Sequence, residues 1–246
     1  MNERIKRLLE FVRSKKHHAY RQNIELELAS EVSTKNLSDV QRAAERLTRV
    51  LEQEKPVILP DQKIVYLRTI CHIPEIYTER EWQRIKQEHY IHELGKVFNV
   101  CPDYATTIVS GLESRRQEIV TSFKTCEAKH DKEGQDVLHA MQRVIDAVEN
   151  LAERYAEEAA RAGNQKVAQI LHHVPKYGAR TFHEALQFFR ILHFTLWCSG
   201  NYHNTVGRFD QFMFPFLKAD LDAGRLNEET AFELLEEFFI SFNLAC

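Results

Sequence analysis

The run Cys198-Ser199-Gly200-Asn201-Tyr202-His203-Asn204-Thr205 concentrates the side chains best suited to chemistry: a thiol, hydroxyls, carboxamides and an imidazole. Such a set can hydrogen-bond a small polar ligand or hold a proton at a defined atom. It lies between two strongly apolar segments, and Gly207 and Arg208 follow it. A polar, glycine-bearing connection between buried helices is where a fold places ligand contacts. The same composition also describes a plain helix-to-helix connection, with Arg208 and Asp210 hydrogen-bonding at a helix end.

Other candidate groups are weaker. His89 and His92 share a helix face at i, i+3, His172 and His173 precede Pro175, and His183 and His193 are ten residues apart. A metal needs three or four converging ligands with support behind them. The run His89-Tyr90-Ile91-His92-Glu93 has the wrong order for a zinc-protease helix, so no metal centre is expected. Cys71, Cys101, Cys126, Cys198 and Cys246 are odd in number, spread out and without a CxxC pair. That usage fits a reducing cytoplasm better than a disulfide framework. No phosphate-binding glycine loop, dinucleotide fingerprint or serine-hydrolase elbow is present, and no cysteine and histidine are spaced as a thiol hydrolase.

The elements that must position these groups read as helices. Few residues break the chain, with 8 Gly and 6 Pro in 246. A helix is predicted over about residues 3–20, apolar at Ile5, Leu8, Leu9 and Val12, with a solvated basic face. Ser38 caps a second helix that Pro56 ends. Val57-Ile58-Leu59 and Lys63-Ile64-Val65-Tyr66-Leu67, around the turn Pro60-Asp61-Gln62, predict a short two-stranded β element. Helices follow from Glu79 to Leu94, from Pro102 to about residue 125, and from about Gln135 to Ala162. Thr181 and Glu184 form a capping box opening a helix through Leu196, and Asn227 caps a last helix to about Asn243. That last helix carries Phe232, Leu234, Leu235, Phe238, Phe239, Ile240 and Phe242 on more than one side. It is therefore predicted to be poorly solvated, and removing residues beyond about 226 to improve solubility. The fold class is mainly α.

A net charge of −3 argues against a general nucleic-acid binder. No apolar run is long enough to span a membrane, and the start, Met-Asn-Glu-Arg-Ile-Lys-Arg, lacks the apolar core of a secretory signal. A cytoplasmic location is expected.

One block is specific: Gly207-Arg208-Phe209-Asp210-Gln211, running on into Phe212-Met213-Phe214-Pro215-Phe216. With Arg180-Thr181-Phe182-His183-Glu184-Ala185-Leu186-Gln187, Asp222-Ala223-Gly224-Arg225-Leu226, Pro102-Asp103-Tyr104 and Gly111-Leu112, it resembles the glycyl radical enzyme family, whose best-known member is pyruvate formate-lyase. The resemblance extends in blocks over most of residues 1–244. It implies that residues 1–246 are the helical N-terminal part of that family's α/β barrel, with one short β element and no closed barrel. The family's catalytic cysteine loop and radical glycine lie downstream of the matched blocks. The chain stops at Cys246, and no Arg-Val-x-Gly-Tyr-like motif occurs in it. The expectation is a truncated enzyme, inactive alone. The complete relative would cleave a small carbon substrate through a thiyl radical. Its only cofactor would be a glycine radical, installed by an activating enzyme that uses S-adenosylmethionine and an iron–sulfur cluster. The alternative is a helical subunit that docks on a chain supplying the cysteine and glycine. The activating enzyme and a second copy are the expected partners, with a small-molecule substrate in the complete enzyme.

The resemblance also assigns a site. The loop before Gly207 borders the family's active-site cavity, so His203, Asn204 and Thr205 are candidate substrate-lining residues. Tyr202-His203 stands where relatives often carry His-Ser. Diol-processing relatives carry Gly-His a few residues ahead of Pro-Asp-Tyr, where this chain has Phe98-Asn99; the histidine of diol dehydration is absent, which argues against that activity, and Asn99 is at best a neutral hydrogen-bonding substitute. Ile58-Leu59-Pro60-Asp61-Gln62-Lys63-Ile64-Val65 resembles another family segment, but Tyr66 replaces its usual Gly.

Overall fold

The computed structural model describes residues 1–24, 26–89, 99–201 and 203–245. Capping decides where several helices begin. Ser38 accepts the Gln41 N–H while the Gln41 side chain returns to the Ser38 N–H, opening α3 (Asp39–Gln53). Thr78 and Glu81 do the same for α4 (Glu79–Gln87), and Asn227 and Thr230 for α10 (Glu228–Ser241). The first predicted helix divides into α1 (Glu3–Arg13) and a 3₁₀ turn, Lys16–Tyr20, because Lys15 takes a left-handed conformation between them. A short α2 (Ala29–Thr34) precedes α3. The predicted helix beyond Gln87 and His92 fall largely outside the described residues.

The centre is a helical stack. α5 (Tyr104–Ala128) and α6 (Lys132–Arg161) are long and adjacent; α7 (Gln165–Leu171) leads to α8 (Phe182–Cys198). α5 is broken at Gly111, where φ is +80°. A side chain there would sit 2.6 Å from the Lys176 carbonyl oxygen. The break frees the N–H groups of Leu112 and Glu113 to bond Pro175 and Lys176 carbonyls, both at 2.9 Å. α8 is apolar nearly all round and lies buried among the others, with Phe182, Leu186, Phe188, Phe189, Ile191 and Phe194 in the core. Thr181 caps it by accepting the Glu184 N–H at 3.2 Å. The Glu184 carboxylate reaches one residue further back than a capping box would, to the Arg180 N–H at 2.7 Å and the Arg180 guanidinium. The charged partner outcompetes the Thr181 amide.

The β element is not at 57–67. That stretch is extended but forms no strand among the described residues. It threads between helices, whose own N–H and C=O groups are already paired, so no neighbouring strand is available. Side chains satisfy its backbone instead. Glu237 accepts from the Lys63 and Ile64 amides (2.6 and 2.8 Å), Gln187 from Val65 (2.9 Å), and Glu54 from Thr69 and Ile70 (2.9 and 3.1 Å). In the other direction Arg190 donates to the Tyr66 carbonyl (2.8 Å), the Tyr155 hydroxyl to Leu67 (3.1 Å), and His183 Nε2 to Lys63 (2.7 Å). Every buried backbone group must find some partner; here helices supply them through side chains. Burial pushes the Glu54 and Glu237 carboxyls up, against the amides that favour their charged forms. It pushes His183 down to about 4, so the ring is neutral.

α10 buries Leu234 and Phe238 but leaves Phe232 58% and Phe239 47% exposed, with Phe214 of α9 (Phe209–Asp222) 57% exposed. The apolar surface around the helix is therefore only partly covered, as its sequence predicts. Glu237, however, also holds Arg4, and the Leu244 carbonyl accepts the Arg68 N–H at 2.9 Å. Removing residues beyond 226 would take away those acceptors as well as the exposed rings. The cysteines also differ from expectation: Cys101, Cys126 and Cys198 are free thiols, but Cys71 is disulfide-bonded. Among the described residues no helix is long and apolar enough to cross a membrane.

Candidate functional site

Two short strands meet at the loop that the sequence singles out. β1 (Asn99–Val100) and β2 (His203–Asn204) run parallel, with Asn99 opposite His203 and Val100 opposite Asn204. The Thr205 N–H extends the ladder to the Val100 carbonyl at 3.0 Å. Parallel strands need a long crossover, and α5, α6, α7 and α8 provide it. The fold thus brings Asn99 and His203 to one register position. Tyr202 and Phe98 lie outside the described residues.

Strand alternation sorts the candidates. His203 and Thr205 are exposed, whereas Asn204 between them is half-buried; successive side chains point to opposite faces. Asn204 Nδ2 donates to the Asn201 carbonyl, Asn201 Nδ2 donates to Ser199 Oγ at 2.7 Å, and Arg46 of α3 donates to the Ser199 carbonyl at 3.2 Å. Asn204 Oδ1 and Arg46 Nε are buried without a partner. The loop's amides and hydroxyl therefore tie it together, and its imidazole is left outward.

Gly207 has φ +60°, and a side chain there would lie 3.4 Å from Cys101 Sγ. The Gly-Arg-Phe-Asp-Gln block thus passes close over the end of β1. Arg208 and Asp210 pair with each other at the start of α9, both largely exposed, which is the helix-end role their sequence permits. Cys101 is exposed. Cys198 is buried and its thiol is pushed well up by desolvation, so it is held as a neutral thiol.

α8 carries an uncommon cation. Arg190 is fully buried, with no carboxylate among the described residues bonded to it. It donates to the Tyr66 carbonyl, contacts His193 Nδ1 at 3.4 Å, and lies 4.6 Å from the Trp197 ring and 5.6 Å from Phe194. Burial lowers it to about 10, so it stays charged at neutral pH. Ring faces and dipoles stand in for a counter-ion. His193 is pushed down to about 3, by burial first and Arg190 second, and its neutral ring accepts from the guanidinium. Arg46 and Arg190 both escape sequence reading. Arg46 sits on a helix where an arginine looks like a solvated surface charge, and Arg190 on a helix whose apolar sequence does not name a partner for it; only the packing shows where each head goes.

Among the described residues no group of three His, Cys, Asp or Glu side chains could hold a metal. A cavity of about 480 Å³ lined by Arg4, Lys63, Lys166, His183 and Arg225 opens elsewhere, touching neither strand.

A family model described as pyruvate formate lyase-like matches residues 74–245. Trans-4-hydroxy-L-proline dehydratase of Clostridioides difficile is 28% identical over 160 residues, covering 58% of this chain and 20% of its own. Isethionate sulfite-lyase of Oleidesulfovibrio alaskensis is 32% identical over 139 residues, covering 51% of this chain and 17% of its own. A solved structure concerned with 1,2-propanediol dehydration in Roseburia inulinivorans superposes with TM-score 0.78 at 21% identity, covering 100% of this chain and 40% of that one. The glycerol-bound B12-independent glycerol dehydratase of Clostridium butyricum gives 0.79 at 19% identity, covering 99% and 40%. The chain thus spans about a fifth of the length of these curated relatives. At these identities the structures establish the shared fold.

Proposed function

The chain belongs to the pyruvate formate-lyase-like family, and from that premise we propose that residues 1–246 form the helical side of a glycyl radical enzyme that cleaves a small carbon substrate. The observation that carries this reading is the parallel pairing of Asn99 with His203. It puts two substrate candidates at one register position on strands that a helical crossover connects. In this reading His203 and Thr205 present their side chains to the ligand, Asn99 stands opposite in register, and Asn204 holds the strand from behind. Radical chemistry requires a site closed to water, and in this reading the rest of the complete fold covers the exposed His203 and Thr205. The complete fold would supply a cysteine thiyl radical, regenerated from a glycine radical, to abstract a hydrogen atom from the substrate. The radical would be installed by a separate S-adenosylmethionine-dependent iron–sulfur enzyme, and the assembly would work in the cytoplasm.

A second reading has the cysteine and glycine arriving on another chain. The exposed Phe214, Phe232 and Phe239 favour some covering partner, and either further sequence or another subunit would meet that need. One experiment tests the central reading. These 246 residues are incubated anaerobically with a family activating enzyme and S-adenosylmethionine, and their EPR spectrum is recorded. No glycine-centred doublet is expected, whereas a doublet from this chain alone would refute the reading.

A further inference from the structure

We infer that Arg46 is the positioning residue of the proposed site, fixing β2 in register through the relay Arg46–Ser199–Asn201–Asn204. The inference rests on the reading that β1 and β2 border the ligand. Ser199 is the C-cap of α8, where the last carbonyls lack intrahelical partners and the helix end is negative. A guanidinium from α3 meets that end at 3.2 Å. From the same residue, Ser199 Oγ accepts Asn201, and the Asn201 carbonyl accepts Asn204. Asn204 sits opposite Val100, and the next residue, Thr205, bonds Val100. Three hydrogen bonds, joined through Ser199 and Asn201, thus connect α3 to the strand ladder, and the first is made by a charged donor.

The placement of Arg46 is costly. Burial disfavours its charged form, with Glu75 and Tyr77 compensating at longer range, and Nε has no partner. A half-buried cation whose one short contact is a loop carbonyl stabilises little by itself. What it does do is hold the loop that carries His203 and Thr205 at a set distance from the helices. A lysine could replace its charge and one donor but not its planar fork.

The test uses the full chain and amide hydrogen exchange. In Arg46→Gln the Thr205 amide should exchange about tenfold faster, the effect of losing one charge-assisted hydrogen bond. The Leu151 amide, at the centre of α6, should not change. Arg46→Lys should recover most of the protection. A second arm adds 1,2-propanediol as a probe. It should shift the His203 and Thr205 resonances in the native chain and in Arg46→Lys, but weakly in Arg46→Gln. Thr205 exchange that is unchanged, or that rises in step with Leu151, overturns the positioning role whatever the probe does. If exchange behaves as stated but the diol shifts resonances elsewhere or nowhere, the ligand reading falls. Arg46 is then only a helix cap.

Discussion

Tyr66 offers the sharpest test of the fold. Its φ is +92°, a conformation that suits glycine and strains a bulky residue by about 1–3 kcal/mol. The family segment that residues 58–65 resemble usually continues with Gly at this position. Tyr66 compensates through burial: its ring is fully enclosed, stacked 4.1 Å from Tyr155 and edge-on to Phe194 at 5.1 Å. Truncating a buried aromatic to alanine costs about 3–5 kcal/mol, and Tyr66→Ala keeps the backbone strain. Tyr66→Gly loses the same ring but releases the strain. Glycine's greater unfolded entropy takes back about 0.5–1 kcal/mol. Tyr66→Gly should therefore be about 1 kcal/mol more stable than Tyr66→Ala, the reverse of the usual order. The Tyr66 hydroxyl is buried without a partner, so Tyr66→Phe should equal or exceed the native chain. Urea denaturation followed by circular dichroism gives all three values if the slopes match. If the alanine variant is as stable as the glycine variant or better, the strain account fails.

Three further outcomes are expected. Thr181→Ala should cost about 1 kcal/mol through loss of the α8 cap, read as a lower denaturation midpoint; an unchanged midpoint would remove the cap assignment. His183 is held neutral with its pKa lowered from 6.5 to about 4, so between those values the unfolded chain binds more protons than the folded one. Its contribution to stability should be complete above pH 6.5 and be lost progressively as pH falls to about 4, and His183→Gln should flatten that part of a stability–pH curve. A slope unchanged by the substitution would place the cause elsewhere. Phe232→Gln and Phe239→Gln together should raise soluble yield and reduce hydrophobic-dye binding, while cutting the chain at residue 226 should lower its melting temperature. A shortened chain that melts no lower would contradict the role given to Glu237.

Helices were legible because their signals are local. Ser38, Thr181 and Asn227 announce caps within four residues, and the apolar spacing of α3 and α6 needs no tertiary context. The 57–67 stretch misled because β-branched residues favour an extended backbone without specifying its hydrogen-bond partner. Those partners are Gln187, Arg190 and Glu237, whose approach no local pattern encodes. At the site, residue types and the resemblance to a family pointed to the loop that forms β2. The facing of His203 and Thr205 away from Asn204 followed only once β2 had a neighbour, since alternation has no meaning for an unpaired segment. Arg46 and Arg190 were invisible for the same reason: a long cation on a helix gives no sign of whether water or another helix awaits its head.

The threaded segment sets an order for folding. The Lys63 and Ile64 amides reach their acceptor across 174 and 173 positions of sequence, and Tyr66 across 124. Closing loops of that length precedes any gain from the contacts they make. During synthesis this stretch leaves the ribosome long before α8 and α10 exist, carrying Ile64, Val65 and Leu67 with an unpaired backbone. An unpaired extended apolar run is the form most prone to join another chain. Until α10 emerges, the Lys63 and Ile64 amides lack their Glu237 acceptor. The same residues that lock the finished core are its most exposed point while it is being made.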